Sequence, residues 1–478
     1  MLNHKTRSFA VALLLSSCAA AAAPTPTSPS GARPPDAGPL TVPGWRLPIA
    51  TKTLPNGLTV VVSEDHSSPT FGISAVYRVG FRLEPKGRSG FAHLFEHLMF
   101  EGTPNAPKGV FDRVVEGGGG VNNGSTRHDY TDYIATAPVS ALDAILWLEA
   151  DRMKTLDFSQ KNLDNQRDVV KEEIRVNVKN RPYGSFFWSD LSAKAFDKWV
   201  NSHDGYGSFA DLDAATLADV ESFYDTFYGP NNAVIAIAGD VSPADVFAKV
   251  ERYFGGLPRR PVPPPPDAGE GLNTAERTLT QSDPLARVPA VAIGWKMPAR
   301  GSRDHVPAAV LGNLLCGGES SRLYLALVKG KELMVSVQGG LAWPLGNPWS
   351  FNGPTLLTVF GLYKTTTDAR SVVAGVDEAI ARIAREGVPA DELRRTSTKM
   401  VSDLYSSLEQ LVNRADTIAL LQLFTGDAAL VNALPARISA VTSADVQRVA
   451  ATYLTAANRT VIDRRPAATA TEKKGNTP

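Results

Sequence analysis

Residues 91–100 have the sequence Phe91-Ala92-His93-Leu94-Phe95-Glu96-His97-Leu98-Met99-Phe100, which predicts an amphipathic helix. Its two histidines are four positions apart, and residues at that spacing lie on one face of a helix. Both imidazoles can therefore reach one metal ion. Glu96 falls on nearly the same face, where it can contact the attacking water without binding the metal. Neutral nitrogen ligands beside a carboxylate base are what zinc-dependent hydrolysis requires. We therefore predict His93 and His97 as metal ligands and Glu96 as the general base.

A third protein ligand is expected, because a hydrolytic zinc site has three ligands and one open position. The best candidates lie in the helical segment 161–180. One stripe of this helix, at intervals of three and four residues, contains Leu163, Gln166, Val170, Glu173 and Asn177. Glu172 falls about 100° away, on a more polar side. Helix geometry therefore favours Glu173 and leaves Glu172 as the alternative.

The segments around this motif have the patterns of both strands and helices. Apolar runs predict strands at 58–62, 71–77, 233–238 and 291–295. Helical periodicity is found at 138–154, 161–180, 214–227, 242–254 and 306–315. A strand followed by a helix occurs in both halves of the chain. We therefore predict an α+β fold with a duplicated unit, that is, two homologous domains.

Changes in composition predict the domain boundaries. Residues 258–271 are rich in proline and glycine, which favours an extended linker and excludes a helix or central strand. We predict a metal-bearing catalytic domain at 44–257 and a second domain at 272–466. Residues 24–43 are predicted to form a flexible lead rich in Pro and Ala, and 467–478 a disordered tail.

Residues 1–23 are typical of a signal peptide, with a positive start, an apolar core and small residues through Ala23. Leu15-Ser16-Ser17-Cys18 also resembles the bacterial lipobox, which would place a lipid on Cys18. The alternative is ordinary cleavage between Ala19 and Ala23. Both interpretations predict a periplasmic or otherwise exported protein, whose only membrane contact would be that lipid.

Charge and cysteine content narrow the function further. The 49 Lys and Arg residues balance 49 Asp and Glu residues, which gives no electrostatic reason to expect nucleic acid as a partner. No run of eighteen apolar residues predicts a membrane-spanning helix. If Cys18 is lost or lipidated, Cys316 stands alone and no disulfide is expected. We predict that Cys316 is a small buried apolar residue and not a nucleophile.

Several motifs resemble those of the pitrilysin/insulinase-type metallopeptidases, which include mitochondrial processing peptidase. His-x-x-Glu-His is the order found in inverzincins. Arg167-Asp168-Val169-Val170, followed by Glu173, is similar to the family's distal motif and favours Glu173 over Glu172. The segment 119–126 resembles the approach to the family's substrate-binding edge strand. The segment 228–232, closed by Gly239-Asp240, resembles the end of the family's first domain, and 318–324 resembles the corresponding place in the second.

The resemblance implies two homologous α/β-sandwich domains that form half of a clamshell chamber, with Zn²⁺ in the first domain. It implies a zinc metalloendopeptidase that hydrolyses extended or unfolded peptides, with the attacking water activated by Glu96. The peptide would add as a strand to a sheet edge near Asn122 and Asn123. The alternatives are a non-catalytic scaffold and a zinc-binding relative of the same fold.

Two departures from the family pattern affect the expected mechanism. Gln166 stands where the family often has a glutamate, so we expect it to hydrogen-bond a metal ligand without adding charge. Val328 and Val335 stand where single-subunit members often have an Arg and a Tyr that hold the substrate carbonyl; Arg322 and Tyr324 are alternative donors. The resemblance therefore implies the zinc-bearing half of a heterodimer with a related subunit that lacks zinc, and a homodimer as the second choice.

Overall fold

Two β-sheets organise the part of the chain described by the computed structural model, residues 44–467. The predicted signal peptide, the lead, Cys18 and residues 468–478 lie outside the described residues. The strands are β1 (Ala50–Thr53), β2 (Thr59–Glu64), β3 (Thr70–Tyr77), β4 (Val121–Thr126), β5 (Thr131–Pro138), β6 (Ala233–Gly239), β7 (Arg277–Asp283), β8 (Ala290–Lys296), β9 (Gln338–Leu341), β10 (Leu356–Leu362) and β11 (Arg459–Pro466).

The second sheet repeats the topology of the first. The first sheet has the order β1-β2-β6-β3-β5-β4, and the second has β7-β11-β8-β10-β9. Without β1, both sheets place their strands in the same sequence order. Each contains a single parallel pair at the same place, β2 with β6 and β7 with β11. The two domains are therefore copies of one α+β unit, as the sequence predicted.

Helices cover both sheets. They are α1 (Phe91–Leu98), α2 (Val110–Gly117), α3 (Leu142–Lys154), α4 (Gln160–Ile174), α5 (Leu191–Ala195), α6 (Trp199–Ser202), α7 (Phe209–Asp213), α8 (Leu217–Phe227), α9 (Pro243–Phe254), α10 (His305–Cys316), α11 (Ala369–Glu386), α12 (Ala390–Glu409), α13 (Leu411–Thr425), α14 (Leu434–Ser439) and α15 (Ser443–Tyr453).

Local signals account for two differences between predicted and observed helices. The helix predicted at 214–227 begins at Leu217, because Thr216 and Asp219 form a capping box that ends the preceding extended backbone. The helix predicted at 161–180 is α-helical only to Ile174 and continues as a wider π turn over Arg175–Lys179. Such turns often occur at functional sites.

Each domain sends one helix onto the sheet of the other. Helix α13 of the second domain packs on β3 and β6 of the first sheet, and α5 of the first domain packs on β8 and β11. A side chain at Gly72 would lie 2.4 Å from the backbone of Val412, and one at Gly294 would lie 3.1 Å from Leu191. Glycine at these equivalent strands therefore allows the close approach that joins the two domains.

Three further predictions concern the linker, Cys316 and membrane-spanning helices. Residues 258–271 contain neither helix nor strand. Cys316 is buried in α10, and burial raises the pKa of its thiol to about 12. Among the described residues, no single helix has the length and apolarity needed to cross a membrane; α13 with Ala428–Ser439 reaches both only as a pair bent by 110°.

Candidate metal centre

Helix α1 is held at its N-terminus by a buried carboxylate. Gly90, just before the helix, has a φ of 85°, and a side chain there would lie 2.6 Å from the carbonyl oxygen of Tyr206. Glu84 accepts hydrogen bonds from the backbone N–H groups of Gly90 at 3.0 Å and Ala92 at 2.8 Å. A negative group at this position satisfies otherwise unpaired helix N–H groups. His203 lies 2.8 Å from the same carboxylate, so α1 starts at a defined place.

Three potential ligand atoms meet between α1 and α4. The Nε2 atoms of His93 and His97 are 3.3 Å apart, and Oε2 of Glu173 lies 3.6 Å and 3.3 Å from them, respectively. Donors at about 2.0–2.1 Å from a tetrahedral zinc ion are about 3.3–3.4 Å from one another. The Nδ1 atom of His93 is buried and has no hydrogen-bond partner. The residues therefore fit one metal ion with an open fourth position.

The two adjacent glutamates of α4 have different environments. Glu172 is exposed and pairs with Arg175 at 3.0 Å. Glu173 faces the histidines, and its Oε1 accepts long hydrogen bonds from Tyr206 and Asn177, both at 3.4 Å. These contacts leave Oε2 directed at His93 and His97. The structure thus brings Glu173, and not Glu172, to the histidine pair.

The charges of these groups suit a cation. Burial lowers the pKa of His93 to about 4, so its imidazole is neutral at neutral pH. Burial opposes protonation of His97 too, but its hydrogen bond with Glu173 and the charge of Glu96 raise its pKa overall. Burial likewise disfavours the ionised form of Glu173, yet the hydrogen bond with His97 lowers its pKa. His93 thus offers a neutral nitrogen and Glu173 an ionised carboxylate, and a cation bound at His97 would replace the proton that His97 shares with Glu173.

Glu96 lies beside the three donors but is not one of them. Its Oε2 accepts a 2.7 Å hydrogen bond from the hydroxyl of Thr126 on β4. A side chain at Gly124, also on β4, would lie 3.0 Å from the Cγ atom of Glu96. Burial raises the pKa of Glu96 to about 7. A carboxyl group of this kind can both accept and release a proton near neutral pH.

Within residues 44–467, strand β4 is the edge of the first sheet and pairs only with β5. Asn122 and Asn123 both lie on it. Asn122 donates a 3.0 Å hydrogen bond to Asp112, whereas the Asn123 side chain accepts the backbone N–H of Gly124 at 3.0 Å. Asn123 is exposed. The two asparagines are therefore at an open sheet edge, as the sequence predicted, and that edge runs past Glu96.

Four residues of the second domain bear on the substrate carbonyl: Arg322, Tyr324, Val328 and Val335. Arg322 forms a two-pronged pair with Glu392, with both distances 2.8 Å. Tyr324 and Val328 pack against the core of the second domain. Val335 is exposed and carries no polar group. The two valines therefore offer no donor to a substrate carbonyl, and Arg322 is held by Glu392 through two of its three nitrogens, with Nη1 buried and unpartnered.

Aromatic residues extend from the donors into a cleft between the domains. The ring of Tyr206 lies 5.0 Å from that of His93 and 5.1 Å from that of Trp188. Trp188 also lines the cleft, together with Phe187 and Trp343. The cleft could hold an apolar side chain near the site.

Sequence reasoning missed Glu84, Thr126, Tyr206 and Glu101, the last a partner of Gln166. Glu84 lies shortly before α1 in the sequence. An acidic residue near the start of a predicted helix is a signal that could have identified it. Tyr206 is brought in by tertiary packing and has no local signal.

Residues 59–198 match the family model described as insulinase, peptidase family M16, and residues 214–400 match the M16 inactive domain. The chain is 34% identical over 284 residues to the zinc protease PqqE of Helicobacter pylori, a match that covers 59% of this chain and 64% of that protein. It is 28% identical over 401 residues to an uncharacterized zinc protease, Rv2782c, of Mycobacterium tuberculosis, covering 83% of this chain and 89% of that one.

Solved structures share the fold. A protease from Helicobacter pylori has a TM-score of 0.82 at 26% identity, covering 88% of this chain and 100% of that chain. The periplasmic protease PqqL from Escherichia coli has a TM-score of 0.71 at 17% identity; the match covers 91% of this chain and 50% of that chain. The described residues therefore correspond to about half of that longer protein.

Proposed function

The chain belongs to the insulinase-type metallopeptidases, peptidase family M16, and we propose that it is a zinc-dependent endopeptidase for extended or unfolded peptides. The proposed ligands are His93, His97 and Glu173, and the proposed general base is Glu96. Homologues named zinc proteases support zinc as the metal.

One observation carries this proposal: an open sheet edge runs past a buried carboxylate and three converging donor atoms. Gly124 and Thr126 of β4 contact Glu96 directly. A peptide that paired with the free edge of β4 would lie beside the base. Main-chain pairing is tolerant of sequence and requires an extended chain, so folded proteins would be poor substrates.

The side chains divide the proposed chemistry among them. A bound zinc ion would polarise the substrate carbonyl and favour ionisation of the attacking water. Glu96, oriented by the Thr126 hydroxyl, accepts the proton of that water and later passes it to the leaving amine. Tyr206 and Asn177 hold the second oxygen of Glu173, which keeps Oε2 directed at the metal position.

We further propose that this chain is the zinc-bearing subunit of a heterodimer. Val328 and Val335 offer no hydrogen-bond donor, and Arg322 is held by Glu392. A related subunit without zinc would supply the donors for the substrate carbonyl, and the two chains would enclose a chamber. The PqqL chain, matched over only half its length, supports a functional unit larger than one such half. A homodimer would enclose a chamber but would not restore the donors.

The N-terminal sequence supports a proposal for the location of the protein. We propose export to the periplasm, with a lipid on Cys18 as the anchor if the lipobox is used, because of the N-terminal sequence.

The family-model match described as an inactive domain keeps a zinc-binding scaffold as the second candidate. That match covers the half of the chain that does not hold the three donors, so it does not count against catalysis in the first half.

Zinc content and peptide hydrolysis test the proposal together. We expect about one zinc ion per purified chain, and a sharp loss of zinc in His93→Ala, His97→Ala and Glu173→Ala. Glu172→Ala is the matched control and should keep its zinc. Full zinc in Glu173→Ala with loss in Glu172→Ala would contradict the ligand assignment.

The activity assay uses quenched peptides of tens of residues, with and without a co-purified partner. Chelation should abolish cleavage. A protein that binds zinc but cuts no peptide under any of these conditions would favour the scaffold.

A further inference from the structure

A second carboxylate, Glu101, contacts Gln166, the residue two helical turns before Glu173 on the same face of α4. Glu101 follows α1, and its side chain is 6% exposed. The amide nitrogen of Gln166 donates a 2.7 Å hydrogen bond to Oε1 of Glu101. Lys108, which is largely exposed, pairs with the same oxygen at 2.5 Å. The other oxygen of Glu101 is buried and has no partner.

This contact determines how the Gln166 amide is oriented. A carboxylate can only accept hydrogen bonds, so the NH₂ group of Gln166 must face Glu101. The amide oxygen then points the other way. Gln166 is buried, and its side chain helps to raise the pKa of His97, an effect that the amide oxygen exerts as an acceptor.

The orientation of the amide in turn determines the tautomer of His97. Its Nε2 atom faces Glu173 and His93, so Nδ1 is the nitrogen that donates to Gln166. With one proton held on Nδ1, Nε2 is the nitrogen that gives up its proton when a metal ion binds. By contrast, Nδ1 of His93 has no hydrogen-bond partner. This control of the tautomer therefore acts on one of the two histidines.

We propose that Glu101 is a positioning residue for the metal centre, which acts through Gln166 to hold His97 in its metal-binding tautomer. The inference rests on the proposed function for the identity of the metal. The proposal also explains why a neutral amide is sufficient at position 166, where the family often has a glutamate. The negative charge is carried by Glu101, which acts on His97 through Gln166.

The reversal of this hydrogen bond gives a sharp test. In Glu101→Lys the new ammonium donates to the amide oxygen of Gln166, so the NH₂ group turns towards His97 and opposes the Nδ1–H tautomer. Loss of such a supporting partner typically weakens metal affinity by about 10–100-fold, and we expect a zinc Kd raised by that factor. Gln166→Glu alone places two carboxylates together and should also weaken zinc binding.

The double variant Glu101→Lys/Gln166→Glu should restore zinc affinity to within about threefold of the wild type. Glu at position 166 accepts from His97 and from the new lysine together, as a charge-assisted pair. The measurement is competition with a chelator of known affinity, and thermal unfolding of the metal-free proteins checks that each variant folds. If Glu101→Lys does not fold, Glu101→Leu removes the acceptor without adding charge. Lys108→Gln, at a largely exposed position, is the control and should change the Kd by less than about threefold.

The outcomes separate this inference from the proposed function. Failure of the wild-type chain to bind zinc would refute the function. Wild-type zinc affinity in Glu101→Lys or Glu101→Leu, or a double variant no tighter than Glu101→Lys, would refute the role of Glu101 and leave the function standing. Weakening in the single variants with restoration in the double variant is the expected result.

Discussion

The substitution Asp416→Asn should stabilise the protein at alkaline pH. Asp416 lies on α13, the helix of the second domain that packs on the first sheet, and faces Asp132 of β5. The hydroxyl of Ser74 donates to Asp416 at 2.9 Å, and that of Ser125 donates to Asp132. Asp132 is buried and Asp416 is half-buried, so ionisation of both would place two like charges in a site with little water.

The structure gives the sign and size of the effect. Burial, and then the charge of Asp132, raise the pKa of Asp416 from 3.8 to about 8, although Ser74 and Arg127 act in the opposite direction. The folded state thus keeps a proton that the unfolded state loses above pH 4. Stability therefore falls as the pH rises from about 4 to about 8. At about 1.36 kcal/mol per pKa unit the full shift corresponds to at most about 5–6 kcal/mol. Asp132 shares the proton with Asp416, so we expect about 2–4 kcal/mol at pH 8.

Urea denaturation of the zinc-depleted protein at pH 5 and pH 8 measures this difference. Asp416→Asn should unfold with a free energy about 0.5–1 kcal/mol above the wild type at pH 5, where about a quarter of the shift has been passed, and about 2–4 kcal/mol above it at pH 8. Asp403→Asn, at an exposed position on α12, is the matched control and should stay within about 0.5 kcal/mol at both. An Asp416→Asn variant that gains no stability between pH 5 and pH 8 would show that the pair does not share a proton in the folded protein.

Three further predictions concern catalysis. Glu96→Gln should keep its zinc and lose about 10²–10⁴-fold in kcat, because an amide cannot accept the proton of water; loss of zinc would instead make Glu96 a ligand. Gly124→Ala should lower kcat/KM by about 10–100-fold with zinc retained, since its methyl group would displace Glu96 by a few tenths of an ångström or more; unchanged kinetics would show that β4 does not limit the position of Glu96. The isolated chain should be a poor enzyme at all concentrations and gain about 10²–10³-fold with a related subunit; full turnover alone would mean that Val328 and Val335 do not occupy the places of missing donors.

Local patterns predicted most of the elements. The apolar run at 71–77 became β3, observed at Thr70–Tyr77, and the proline-rich segment contains no helix or strand. Helix ends differed where a cap or a wider turn replaced the regular pattern, as at Thr216 and after Ile174. The family resemblance and the fold class are confirmed by the comparisons, whereas the roles of the site residues stay predictions.

The parts that escaped prediction depend on contacts between distant segments. Helix α13 packs on the first sheet and α5 on the second, and the sequence indicates these contacts only through Gly72 and Gly294. A glycine in a strand has many causes, so the contacts could not be predicted from it. Glu101 and Gln166 are 65 positions apart, and neither residue alone signals a hydrogen bond. No periodicity within one helix could have joined them.

The position of the candidate site depends on the sequence of α1 and on contacts between segments that are distant in the sequence. Helical spacing alone places His93, His97 and Glu96 on one face, and residues 91–100 are sufficient to predict this. Under the proposed function that face serves a peptide only because β4, which ends its sheet, lies against Glu96 with Gly124 close to its side chain. A larger residue there would separate the sheet edge from the base, even with all three metal donors intact. The distance between edge and base is therefore as much a condition for peptide hydrolysis as the metal ligands themselves.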